Sequence, residues 1–169
     1  MRELKKIAIA NRGEVAVRII LACKELGIKT VLLHSEADIQ TRAYRMADES
    51  ICIGPAELAE SYLSIDKNIK GILSCGAEAV HPGFGFLSEN ADFAQACKDH
   101  QIIFIGPEPK TIRAMGDKIT AKSLVDEEGV PTVPGYNGAH QNVETLVKEC
   151  ERIGYPVIVK LQLVVAGEA

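Results

Sequence analysis

The sequence predicts an α/β fold, a doubly wound and mostly parallel sheet covered by helices, and three observations carry that prediction. Short apolar runs rich in β-formers alternate with amphipathic stretches of helical length. Glycine or proline marks many of the junctions between them. At 169 residues, 47% of them hydrophobic, the chain is long enough for one ordinary domain with an appendage, and apolar enough to bury a core.

Residues 6–10 read as the first strand and 13–26 as a helix, with Val15, Ile19, Ile20, Cys23 and Leu26 on one face and Gly27 as its C-cap. Residues 30–34 form the second strand. A short helix over 41–47 leads to a third strand at 50–53, stopped by Gly54 and Pro55. A helix over 65–75 and a strand over 78–81 follow, and the strand runs into Pro82-Gly83-Phe84-Gly85-Phe86. Asn90 suits the cap of a helix reaching Lys98. A strand over 102–105 again ends in Gly-Pro.

Beyond that point the style changes. Residues 110–114 and 118–127 read as helices, with Gly116 as C-cap and Asp117 as N-cap between them. A turn-rich connector spans 129–135, a helix 143–153, and a buried strand 155–160, closed by Lys160. The expected organisation is a first domain over 1–115, the start of a second over 116–160, and an atypical tail at 161–169. No internal repeat or low-complexity segment is present.

Composition excludes several classes of function. A formal net charge of −4, with lysine and arginine scattered among acids, provides neither a stripe for a phosphate backbone nor a polybasic membrane patch. No nucleic acid and no membrane partner is expected. The apolar run at 7–10 is too short for a signal sequence or a membrane span, and the run near Ile19 is broken by charges. Five cysteines, odd in number and widely spaced, suit reduced core thiols better than a disulfide framework or a zinc site. A reducing, cytoplasmic location follows.

Three places could carry chemistry. Asn11-Arg12-Gly13-Glu14 joins the first strand to the first helix at the carboxyl edge of the sheet, where open α/β folds bind ligands. It has one glycine where a dinucleotide loop needs three, and Glu14 puts negative charge where a pyrophosphate would sit. Arg12 either meets a ligand or pairs with a carboxylate. The second place is the run from His81 to Asn90, in which two glycines flanking Phe84 allow close backbone approach and project the ring outward. Phe86 and Leu87 would anchor that loop to the core, and the plain alternative is a rigid turn with a helix cap. The third is a pair of lysines, Lys118 at a helix start and Lys160 at a strand end, each suited to phosphate and each, taken singly, readable as a solvated surface lysine.

The run from Lys6 to Ala16, the segments Ala47-Asp48-Glu49 and Ile53-Gly54-Pro55, the His81 decapeptide, Phe104-Ile105-Gly106-Pro107 and Met115-Gly116-Asp117-Lys118 together resemble the biotin carboxylase family in order and spacing. This is the ATP-grasp component of acetyl-CoA carboxylase, linked to fatty acid biosynthesis, and of pyruvate carboxylase and related enzymes. The resemblance covers residues 2–160. It implies a Rossmann-like pre-ATP-grasp domain followed by the beginning of an ATP-grasp domain, truncated here. The implied reaction uses ATP, Mg2+ and bicarbonate to carboxylate biotin on a carrier domain, with a carboxyltransferase as further partner. Lys118 and Lys160 correspond to the family's two phosphate-contacting lysines. His81, Gly83, Phe84, Gly85 and Glu89 correspond to the biotin side of the pocket. Phe84 stands where tyrosine is common, keeping the ring without the hydroxyl. Arg18 and Glu25 occupy homodimer-interface positions on the first helix, where Leu21 replaces a frequent arginine.

After Lys160 the family continues into a glycine run that closes over the phosphates, whereas this chain continues Leu161-Gln162-Leu163-Val164-Val165. The tail itself resembles a later helix of the family, as an internal deletion would produce. The metal ligands and catalytic residues of the family have no counterparts here, so no catalytic or metal residue is assigned. The expectation is an inactive fragment that holds no cofactor tightly. Two alternatives are a non-catalytic dimerisation or subunit-binding module, and another ATP-grasp ligase.

Overall fold

The computed structural model describes residues 3–116, 118–136, 138 and 140–159. The chain divides into two compact units, Met1–Arg113 and Ala114–Ala169.

The first unit is a five-stranded sheet in the order β3-β2-β1-β4-β5, every neighbouring pair parallel. Its strands are β1 (Lys6–Ile9), β2 (Lys29–Ser35), β3 (Glu49–Gly54), β4 (Ala79–His81) and β5 (Ile103–Phe104). β1 lies at the centre, Ala8 facing Val31 on one side and Val80 on the other. Successive β1 side chains feed opposite faces, as the two-residue period of a strand requires. Ile7 and Ile9 join Ile20, Leu32 and Ala43 beneath helices α1 (Gly13–Glu25) and α2 (Arg42–Met46). Ala8 and Ala10 join Leu33, Ile72, Val80 and Phe93 beneath α3 (Ile65–Cys75) and α4 (Ala91–Asp99). The sheet is therefore covered on both faces, as predicted. Ile20 and Leu32 are fully buried, and burial of such a side chain contributes about 2 kcal/mol.

Local signals start and stop the helices. Asn90 accepts the Phe93 amide at 2.8 Å and caps α4. Leu26 is the C-cap of α1, and Gly27 lies one place beyond it at φ +69°. There the Ile28 amide donates to the Cys23 carbonyl and the Gly27 amide to the Lys24 carbonyl, a Schellman closure. α4 closes in the same way, Ile102 to Cys97 and Gln101 to Lys98, with Gln101 in the left-handed position at φ +60°. Two 3-10 turns, Glu36–Asp38 and Leu58–Glu60, were not anticipated.

The chain from residue 109 onward departs further from expectation. α5 (Pro109–Gly116) is longer than the predicted 110–114, and α6 (Lys118–Glu127) and α7 (Val143–Ile153) follow. Residues 155–159 form no strand. Pro156 has no amide to donate, and among the described residues of the second unit no strand is available as a partner. The proposed N-cap, Asp117, lies outside the described residues. Cysteine burial also needs correction, since only Cys23 and Cys97 are buried while Cys52 is exposed and Cys75 and Cys150 are intermediate. Alternate positions of β3 face out of the core, which places Cys52 in solvent beside buried Ile53.

Candidate functional site

All strands are parallel, so their carboxyl ends share one edge, and β1 and β4 deliver Asn11 and His81 to it side by side. Asn11, almost wholly buried, donates its amide to the Pro82 carbonyl at 2.7 Å and to the Phe84 carbonyl at 2.9 Å. Its own oxygen accepts the Arg12 amide at 2.9 Å. One side chain thus links the start of α1 to the glycine loop. The loop also draws on His81, whose Nδ1 accepts the Gly83 amide at 3.0 Å. Burial lowers the basicity of this imidazole below its ordinary value.

Gly83 and Gly85 sit at φ +68° and +69°, a region that L side chains enter at a cost. At Gly83 space is also closed, because an added Cβ would lie 2.6 Å from Val15 Cγ1 and 2.7 Å from Asn11 Nδ2. Phe84, between them, is 70% exposed and projects outward, while Leu87 is buried and Phe86 half-buried. Phe86 stacks on Tyr62 with ring centroids 5.1 Å apart.

Beside the loop stands a polar cluster built on Asp38. Its Oδ2 accepts from Ser35 Oγ at 2.7 Å and from the Tyr62 hydroxyl at 2.8 Å. The Tyr62 oxygen in turn accepts the Ser35 amide at 3.0 Å. Burial pushes the Tyr62 hydroxyl up to about 12, opposed by the Ser35 amide and reinforced by the Asp38 carboxylate. Arg12 reaches the same carboxylate at 3.9 Å, so of the two roles open to it from sequence the carboxylate pairing is present.

A groove of about 730 Å³, lined by α1 and the start of α2, reaches the glycine loop. His81, Gly83 and Phe84 line it together with Gly13, Glu14, Arg18 and Arg42. Gly85 and Glu89 are exposed in the loop and the turn after it and do not line the groove. Of the expected interface residues Arg18 lines it, as does the partly exposed Leu21, whereas Glu25 is exposed further along α1. The Lys118 side chain and Lys160 lie outside the described residues. Among the described residues no group of three or more histidine, cysteine, aspartate or glutamate side chains could hold a metal ion, and no helix is long and apolar enough to cross a membrane. Sequence reasoning missed Asn11, Asp38 and Tyr62 as the supports of the loop. The Ser35-x-x-Asp38 spacing was the one local signal available.

Residues 3–112 match the N-terminal domain of biotin carboxylase. The chain belongs to the biotin carboxylase family. Residues 117–168 match the ATP-binding domain of the carbamoyl-phosphate synthase L chain. The chain is 51% identical over 155 residues to a biotin carboxylase of Nostoc sp., covering 92% of this chain and 35% of the relative. It is 53% identical over 158 residues to that of Haemophilus influenzae, covering 93% and 35%. Among solved structures it resembles the biotin carboxylase domain dimer of Hydrogenobacter thermophilus 2-oxoglutarate carboxylase, solved with MgADP, ADP and bicarbonate, at TM-score 0.84 and 46% identity. That alignment covers 92% of this chain and 34% of the other. The chain therefore spans about a third of the length of these biotin carboxylase relatives.

Proposed function

We propose that this chain is the N-terminal part of a biotin carboxylase, which uses ATP, Mg2+ and bicarbonate to carboxylate biotin on a carrier protein. The observation that carries the reading is the glycine loop 82–86, tied by Asn11 and His81 beside a groove at the carboxyl edge, within a segment that matches the family throughout. In this reading His81, Gly83, Phe84, Gly85 and Glu89 form the biotin-side wall, and Lys118 and Lys160 contact the nucleotide phosphates. ATP and Mg2+ supply the phosphoryl group and the charge neutralisation that activate bicarbonate. The chain's own residues shape and stiffen the edge on which the acceptor rests. Domain limits of 1–115 and 116–160 accompany this reading, with the carrier and a carboxyltransferase as partners.

The polypeptide of 169 residues is expected to be inactive by itself, because the residues after Lys160 provide no glycine run to close over phosphates. Two measurements test the proposal. Biotin-dependent phosphate release by the purified chain would overturn the inactivity. A chimera carrying residues 1–159 of this chain in place of the matching segment of the Haemophilus influenzae enzyme should retain bicarbonate-dependent ATP cleavage. A folded chimera without that activity would count against the functional assignment.

A second reading rests on the exposed side of α1, where Arg18 and Leu21 border the groove and Glu25 is exposed nearby. In that reading the chain self-associates or binds a partner subunit through this face. Light scattering after size exclusion, with and without a full-length relative, tests it; strict monomers and no mixed species would remove it.

A further inference from the structure

The Arg12 guanidinium is held in place with its hydrogen-bonding capacity unfilled among the described residues. Its Cζ lies 5.4 Å from the Tyr62 ring centroid and 5.5 Å from that of Phe86, whose planes stack within 13° of each other. An arginine against aromatic rings loses much of its rotamer freedom and gains a cation–π contact. Its charge partner is Asp38, but the approach is 3.9 Å, beyond hydrogen-bond range, and the oxygen approached already accepts from Ser35 and Tyr62. Among the described residues no group accepts a hydrogen bond from the guanidinium, and the side chain is 42% exposed. A planar fork of donors, one end towards Asp38 and the side chain 42% exposed, is therefore held against the rings at the edge of the sheet where open α/β folds take ligands.

We propose that Arg12 is an oxyanion-binding residue that takes a carboxylate or phosphoryl group on the outward side of its guanidinium. The aromatic platform supplies orientation before the ligand arrives, which lowers the entropic cost of forming a paired contact. Asp38 offsets part of the positive charge, so selection falls on geometry more than on net attraction. Two parallel N–H donors match two oxygens of one group and do not match a spherical halide. The site stands apart from the biotin carboxylase reading and does not depend on it.

The test uses the 169-residue chain labelled with nitrogen-15 and carbon-13, with the side-chain Nε–H resonance of Arg12 assigned in the unsubstituted chain by through-bond correlation to its own side-chain and backbone atoms. Sodium phosphate, sodium acetate and sodium bicarbonate are titrated separately at constant ionic strength against sodium chloride. At least one oxyanion should produce a saturable shift of that resonance, with half-saturation on the order of 1–10 mM; the tightest of the three identifies the source. Arg12→Lys should weaken binding by about tenfold, because it keeps the charge and loses the fork. Phe86→Leu should weaken it by about threefold with the guanidinium intact, by removing half of the platform. A shift that does not saturate, that chloride reproduces, or that Phe86→Leu leaves unchanged would overturn the proposal. Reading the Arg12 resonance directly in the unsubstituted chain keeps the test valid if either variant fails to fold.

Discussion

The Gly83 amide donates to Nδ1 of His81, so the imidazole that supports the glycine loop must be the neutral tautomer with its proton on Nε2. Protonation would set one N–H against another and remove the acceptor of that amide. The unfolded chain takes up a proton near the ordinary histidine value of 6.5, while burial holds the folded imidazole below it. The folded state thus binds fewer protons in that interval, and stability falls as pH drops from 6.5 towards the lowered value. Melting temperature measured between pH 7.5 and pH 5 should decline over this window. His81→Asn, whose side-chain oxygen reproduces the acceptor and cannot protonate, should flatten the decline. A second loss is expected only in stronger acid, below 3.8, where Asp48 loses the hydrogen bonds from the Thr30 hydroxyl and amide that hold its carboxyl below the ordinary value.

Gly83 and Gly85 share a left-handed backbone and differ in their surroundings. Gly85→Ala meets nothing within 4 Å and should cost about 1 kcal/mol, the cost of the backbone region alone. Gly83→Ala adds the collision with Val15 and Asn11, and should cost roughly 3 kcal/mol or expel the loop. Urea unfolding of the two variants side by side separates the effects. Equal losses would contradict the close packing described at Gly83.

Replacing Asn11 removes the donor to two carbonyls 71 and 73 positions away. Asn11→Leu should lower stability by roughly 2–3 kcal/mol, since the buried Pro82 carbonyl and the partly buried Phe84 carbonyl both lose their partner. Asn11→Asp should be worse at neutral pH, with a carboxylate facing two carbonyl oxygens, and should recover partly on acidification. Chemical denaturation at pH 7 and pH 4.5 reads both effects.

At the end of α4, Gln101 holds the left-handed position that Gly27 holds at the end of α1. Gln101→Gly should therefore stabilise the first unit by about 1 kcal/mol, raising its unfolding midpoint. An unchanged or lowered midpoint would mean that the glutamine side chain contributes something that offsets its backbone cost.

Local rules were enough for what is local. The strands around Ile9, Leu32 and Val80 were readable from apolar runs, and the helix stop at Gly27 and cap at Asn90 from single residues. The loop at 82–86 was legible as unusual because its glycines stand beside a proline and two aromatics. Its supports were not, since Asn11 meets Pro82, and Asp38 meets Tyr62, only after the sheet has brought distant segments together. The expected strand at 155–160 failed for the complementary reason. An apolar run such as Val157-Ile158-Val159 shows only a preference, and pairing must come from a neighbour; Ile158 and Val159 are 82% and 75% exposed.

The position of β1 in the middle of the sheet also sets an order of events during synthesis. β1 gains one neighbour when β2 emerges, but its other side stays open until Ala79 arrives opposite Ile7. Closing that gap costs chain entropy before any pairing is gained, and folds with such distant pairings assemble slowly. A nascent chain halted before β4 would expose the open side of β1 and leave α3 without α4 on its face of the sheet, a species suited to capture by a chaperone or to pairing with another nascent copy.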